Sequence, residues 1–236
     1  MGQDREATGP GGGEPAAEVE SILAPYTLPR LRYGYAALEP VIDEATLRLQ
    51  HGVIHRAYVE RVNAALARRP PWQGKTIEDV LRGLHEIPED IREEVRYEGG
   101  GHANHQFFWK VVAPPGGPGP SGDLLAALDR DFGSVEAFKR QFESAAMNQR
   151  GSGWAFLVVR SRRNDRLDVM TLPNNDSVLW APEPSPGLLI CDLWEHAYHA
   201  NYPGRRAEWL RRWWEVVDWP TVERRLQGVL QGARRL

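Results

Sequence analysis

The run Pro114-Pro115-Gly116-Gly117-Pro118-Gly119-Pro120 divides this chain into two stretches with different periodicities. Proline removes a backbone donor and glycine is costly to order, so neither a helix nor a central strand passes through such a segment. Before it, the apolar pattern is helical. Leu47, Ile54, Tyr58, Val62 and Leu66 predict one long helix from Glu44 to Arg68, ended by Pro70-Pro71. A second helix is predicted from about Ile91 to Lys110, with Gly99-Gly100-Gly101 permitting close approach or a kink. Two such helices make an antiparallel hairpin.

Beyond the proline-glycine run, two amphipathic helices are predicted, Gly122 to Phe132 and Ser134 to Ala146. Ser134 caps the second, which carries Phe138 and Phe142 at helical spacing. Gly153 to Val159 and Arg166 to Thr171 then look like strands joined across Arg163-Asn164-Asp165, and Gly187 to Asp192 like a third. Helices resume from about Trp194. The fold class is α+β: an N-terminal α-hairpin domain over 27–113, then a mixed α/β domain over 121–236. Residues 1–26, rich in Gly, Pro, Ala and acids, read as a disordered extension.

Composition narrows the partners. A net charge of −3 and a pI near 6.2 give no electrostatic reason to expect nucleic acid, and the arginines toward the C-terminus read as a solvated helix face. No apolar run is long enough to span a membrane, and the first residues lack the basic and apolar regions of a secretory signal. Cys191, the lone cysteine, excludes an internal disulfide and fits a reducing compartment, so the cytoplasm is the expected location.

The chemistry-bearing residues are grouped. Of seven histidines, His51 pairs with His55, His102 with His105 and His196 with His199, leaving His85 alone. In Asp192-Leu193-Trp194-Glu195-His196 a carboxylate and an imidazole stand four residues apart, and on a helix they would share one face. Such spacing alone more often marks an ordinary hydrogen-bonded surface pair than a metal site. Clusters on three separate elements, joined by Asp192 at a strand end, favour a composite metal site.

The runs LPRLRYGYAALEPVIDEAT, GGGHANHQFFW, GSGWAFLVV, LPNNDS and DLWEHAY, in that order, resemble the iron/manganese superoxide dismutase family from Leu28 to about Leu226. The resemblance implies an α-hairpin followed by an α/β domain with a three-stranded antiparallel sheet. It also implies dismutation of superoxide to oxygen and hydrogen peroxide at one Mn or Fe per subunit. By position, His105, Asp192 and His196 match three of the four protein ligands, and Tyr58 matches the substrate-gateway tyrosine. Trp109, Trp154 and Trp194 match aromatic residues that shield the site. Glu195 matches the glutamate that reaches the ligand histidine of the other subunit, which implies a homodimer formed through Glu195 and His196.

The departures from the family pattern are specific. Gln50 stands at the first-helix ligand position and Ile54 at that of a histidine behind it. Along a regular helix Gln50, Ile54 and Tyr58 drift by about 80 degrees in total and face the metal together, whereas His51 and His55 lie about 100 degrees around. His51 and His55 match family histidines that are not ligands. Asn175 replaces a glutamine that hydrogen-bonds the metal-bound solvent, and His199 replaces a tyrosine that pairs across the dimer with the residue here replaced by Ile54. An isoleucine cannot hydrogen-bond, so a relay through that pair is absent. Gln50 offers an amide oxygen, a neutral and weaker ligand than imidazole.

Three readings follow. The chain is a dismutase with Tyr58 and Asn175 in catalytic roles and His105, Asp192, His196 and Gln50 around the metal, its activity altered or weakened. Alternatively it is a non-catalytic member serving as a dimeric scaffold or partner-binding protein. A third reading is a metalloenzyme of another reaction class.

Overall fold

The computed structural model describes residues 24–72, 74–160, 165–181 and 185–233. Helix α1 (Glu44–Leu49) starts at Asp43, whose side chain accepts from the Thr46 amide at 2.7 Å, satisfying an orphan donor of the first turn. It runs through a π turn (Gln50–His55) into α2 (Arg56–Ala67). After α3 (Ile77–Arg82), the returning helix repeats that construction: α4 (Glu89–Glu94), a π turn (Val95–Gly99) and α5 (Gly100–Val111). The two predicted helices are therefore present, each interrupted by a widened turn that apolar spacing does not register. Val59, Val62 and Leu66 on α2 bury against Ile91 and Val95 of the returning helix and Ile77 and Leu81 of α3. Each such side chain contributes roughly 1.5–3 kcal/mol by leaving water.

The part of the expected disordered extension that is described, 24–26, is packed. Ala24 and Tyr26 are buried in the hairpin core, and Asn63 ties the Tyr26 backbone down at both its amide (2.7 Å) and its carbonyl (2.8 Å). Residues 1–23 lie outside the described residues.

Helices α6 (Gly122–Phe132) and α7 (Val135–Asn148) match the predicted pair, with Ser134 accepting from the Ala137 amide at 3.0 Å and Phe138 and Phe142 fully buried. Strands β1 (Gly153–Arg160), β2 (Arg166–Pro173) and β3 (Gly187–Asp192) form an antiparallel sheet in the order β2-β1-β3. Most of the predicted Arg163-Asn164-Asp165 turn lies outside the described residues; Asp165 has φ 55°. Central β1 is apolar and buried on both faces, whereas edge strand β2 is only partly covered. The β1–β3 register places Trp154 opposite Asp192, which fixes where β3 delivers that carboxylate.

Helices do not resume at Trp194. Only a 3₁₀ turn at Glu195–Ala197 follows β3, and the regular helices are α8 (Arg206–Trp213) and α9 (Trp219–Ala233). The halves on either side of the proline-glycine run are closely joined, because Val112 bridges Val217 and the Ala113 amide donates to Val216 at 2.8 Å. Phe108, Trp109 and Val111 of α5 belong to the same apolar core as β1 and β3.

Candidate metal centre

Four elements converge near the join: the first π turn, α5, the end of β3 and the 3₁₀ turn after it. His105, Asp192 and His196 bring one possible ligand atom each to within 4.8 Å of one another. Asp192 and His196 meet without the shared helix face that their spacing suggested. Asp192 closes a strand and His196 sits in the 3₁₀ turn after it, so the chain reversal brings Nε2 to 3.2 Å from Asp192 Oδ2. The Trp194 amide donates to Asp192 Oδ1 at 2.8 Å, which leaves Oδ2 facing the cluster.

His105 is oriented by its own helix. Its Nδ1 donates to the Gly101 carbonyl at 2.7 Å, so the neutral ring presents an unprotonated Nε2. That Nε2 is buried, has no hydrogen-bond partner and lies 3.8 Å from Asp192 Oδ2. Burial pushes its pKa down to about 4, with Asp192 pulling the other way and His196 adding to the fall. A buried lone pair aimed at a carboxylate is suited to a metal ion.

Gln50 enters this cluster from the π turn. It is completely buried, its Nε2 donates to Asp192 Oδ2 at 2.8 Å, and its Oε1 has no partner. The amide thus presents a donor to the carboxylate and an unsatisfied acceptor beside it. Two imidazoles, one carboxylate and one amide oxygen form a donor set that fits a first-row metal such as Mn or Fe.

The widened turn also changes which histidine backs the site. Because π geometry pairs i with i+5, His55 comes onto the side of Gln50, and it stacks on His105 at 5.3 Å with planes 20° apart. Ile54, expected on that face, is half-exposed. His55 Nδ1 accepts from Trp109 Nε1 at 3.0 Å, so its Nε2 carries the proton and donates to His102 Nδ1 at 2.9 Å. His51 is likewise engaged, accepting at Nδ1 from the Tyr35 hydroxyl and donating through Nε2 to Pro29. Both rings use both nitrogens on protein partners. The wall formed by His55 and His102 behind His105 escapes sequence reading, since regular periodicity points His55 away.

Tyr58 and Asn175 meet at the other side. Burial raises the Tyr58 phenol to about 12, and the nearby Asn175 amide opposes that rise. Asn175 is buried, and neither of its side-chain polar atoms completes a well-formed hydrogen bond. Both residues approach α5 where it has no side chains: a Cβ on Gly101 would lie 2.7 Å from the Tyr58 ring and one on Gly100 2.2 Å from the Asn175 carbonyl oxygen. Trp154 stands edge-on to His105 at 4.9 Å, and Trp194 stacks on His196 at 5.6 Å. Glu195 and His199 are exposed beside this floor.

Comparison with known proteins agrees with the geometry. The model of the iron/manganese superoxide dismutase alpha-hairpin domain matches residues 25–113, and that of the C-terminal domain of the same dismutases matches 120–225. The manganese superoxide dismutase 1 of Leptolyngbya boryana is 42% identical over 211 residues, covering 89% of this chain and 84% of the relative. The manganese superoxide dismutase of Listeria innocua is 41% identical over 200 residues, covering 85% and 96%. That of Thermus thermophilus is 42% identical over 200 residues, covering 84% and 96%.

Proposed function

The chain belongs to the iron/manganese superoxide dismutase family, and from that premise we propose that it converts superoxide to oxygen and hydrogen peroxide at one Mn or Fe per subunit. The observation that carries this reading is the His105, Asp192 and His196 cluster with its buried, unprotonated and unpartnered His105 Nε2. His105, His196 and Asp192 would hold the ion, with Gln50 Oε1 as the fourth protein ligand. The bound metal supplies one-electron oxidation of one superoxide and reduction of the next, the latter taking up two protons to give peroxide.

The surrounding residues do the rest. Tyr58, whose phenol stays protonated at neutral pH, holds a proton at Oη near the centre. Asn175 orients what lies between it and Tyr58, and the Trp154 and Trp194 rings exclude water. We further propose a homodimer through Glu195 and His196, supported by the exposure of Glu195 and His199 and of Val53, which is 59% exposed on the nearby π turn. A cytoplasmic location is supported by cysteine usage: Cys191 is the one cysteine, so no internal disulfide can form.

One observation favours the non-catalytic reading. Gln50 donates to the same Asp192 oxygen that faces the cluster, which weakens that carboxylate as an anionic ligand. Elemental analysis of purified protein, with a superoxide-consumption assay on wild type and Asp192→Ala, separates the two. Near-stoichiometric metal with activity lost in Asp192→Ala supports the dismutase. Wild-type protein with neither metal nor activity supports the scaffold.

A further inference from the structure

Away from the metal centre, a cleft of about 490 Å³ opens between α3, the start of β3 and α9 and continues inward as a pocket of about 70 Å³ beside α5. Glu78, Val178, Leu179, Gly187 and Arg225 line both parts, and none of Gln50, His105, Asp192 and His196 lines either. The size is that of a small-molecule site.

Its charges are unbalanced. Arg225 lies over the Phe107 ring, 4.1 Å from the centroid, and donates to the Gly187 carbonyl through Nε at 3.1 Å and Nη2 at 2.8 Å. Its Nη1 makes no hydrogen bond among the described residues. Lys110 borders the inner pocket, and its ammonium has neither a hydrogen bond nor an ion pair among the described residues. Arg82 at the mouth is already paired with Asp79 at 3.1 Å. Glu78 is the one carboxylate among the described lining residues, so Lys110 and Arg225 share it. Burial lowers the pKa of Lys110 and brings Arg225 down to about 10, with Glu78 opposing both shifts.

Cations removed from water call for compensating anions, and a guanidinium with a free nitrogen matches the geometry of a carboxylate or phosphate. We propose that this cleft binds a small organic anion, its carboxylate or phosphate group seated between Lys110 and Arg225 and its apolar body against Val178, Leu179 and Val229. Lys110 supplies the point charge and Arg225 the directional donor. The proposal is independent of the metal reading.

Calorimetric titration of the full chain with hexanoate and with inorganic phosphate tests it, using wild type, Lys110→Met, Val229→Trp and Asp192→Ala. One equivalent of at least one probe binds wild type, and Lys110→Met and Val229→Trp each weaken it at least tenfold while Asp192→Ala leaves it unchanged. Tighter hexanoate assigns the site to carboxylates and tighter phosphate to phosphorylated ligands. Loss of binding in Asp192→Ala would place the anion at the metal centre and overturn the proposal. So would equal affinity in Lys110→Met and Val229→Trp, or no heat from either probe with wild type at millimolar concentration. Val229→Trp, which fills the cleft without touching a charge, covers the case in which Lys110→Met does not fold.

Discussion

Asp192 Oδ2 accepts from Gln50 and stands 3.2 Å from His196 Nε2, so a change at position 50 acts on the carboxylate as well as on the proposed ligand set. Gln50→His replaces an amide donor by an imidazole lone pair. It should raise metal occupancy and tighten affinity by about 10–100-fold, the range typical of altered ligand support. Competition with a chelator of known affinity measures this, and an unchanged constant would exclude Gln50 from the coordination sphere. A second residue-scale expectation concerns Gly101, where a Cβ would meet the Tyr58 ring at 2.7 Å. Gly101→Ala should cost about 1–3 kcal/mol in denaturant unfolding, the usual penalty of overpacking, and should displace Tyr58 from the site. Full stability with an unmoved tyrosine ring would contradict the packing described.

At the scale of elements, the first π turn decides which residues face the His105, Asp192 and His196 cluster, and Asp131 decides how α6 holds β2. Asp131, in the last turn of α6, has its side chain 3% exposed and accepts from Arg130, Arg166 and the Leu167 amide. Burial raises its pKa, but these charge-assisted bonds outweigh it and bring the carboxyl to about 2. A folded-state pKa below the unfolded value contributes stability above the ordinary carboxylate range, and that stability is lost as pH falls toward 2. Asp131→Asn should therefore cost about 1–2 kcal/mol at pH 7, discounted for the exposed arginines. It should also flatten the stability profile between about pH 4 and 2. Equal denaturant midpoints in mutant and wild type at pH 7, or parallel midpoint profiles from about pH 4 to 2, would count against it.

For the whole molecule, metal and association act on the folded state alone. Removing the metal with a chelator should lower the thermal midpoint, since free metal at 1,000 times its Kd stabilises by about 4 kcal/mol. A midpoint that ignores the chelator would mean that the centre contributes nothing to folding. In the proposed dimer Glu195 approaches the partner's ligand histidine, so Glu195→Ala should shift sedimentation toward monomer and reduce bound metal together. Retention of both would remove Glu195 from the interface.

Helix and strand assignments were largely legible because they rest on local periodicity: Phe138 and Phe142 mark α7, and the apolar run of β1 marks a strand buried on both faces. The family was legible too, since its motifs keep their order along the chain. The convergence of Asp192 with His196 through a strand end and a 3₁₀ turn was not, because spacing four suits several conformations. Nor was the stacking of His55 on His105, which depends on one extra residue absorbed in a π turn. Periodicity records what each element buries; which atoms then meet depends on turns and packing between distant segments, and that is where Gln50 reaches Asp192.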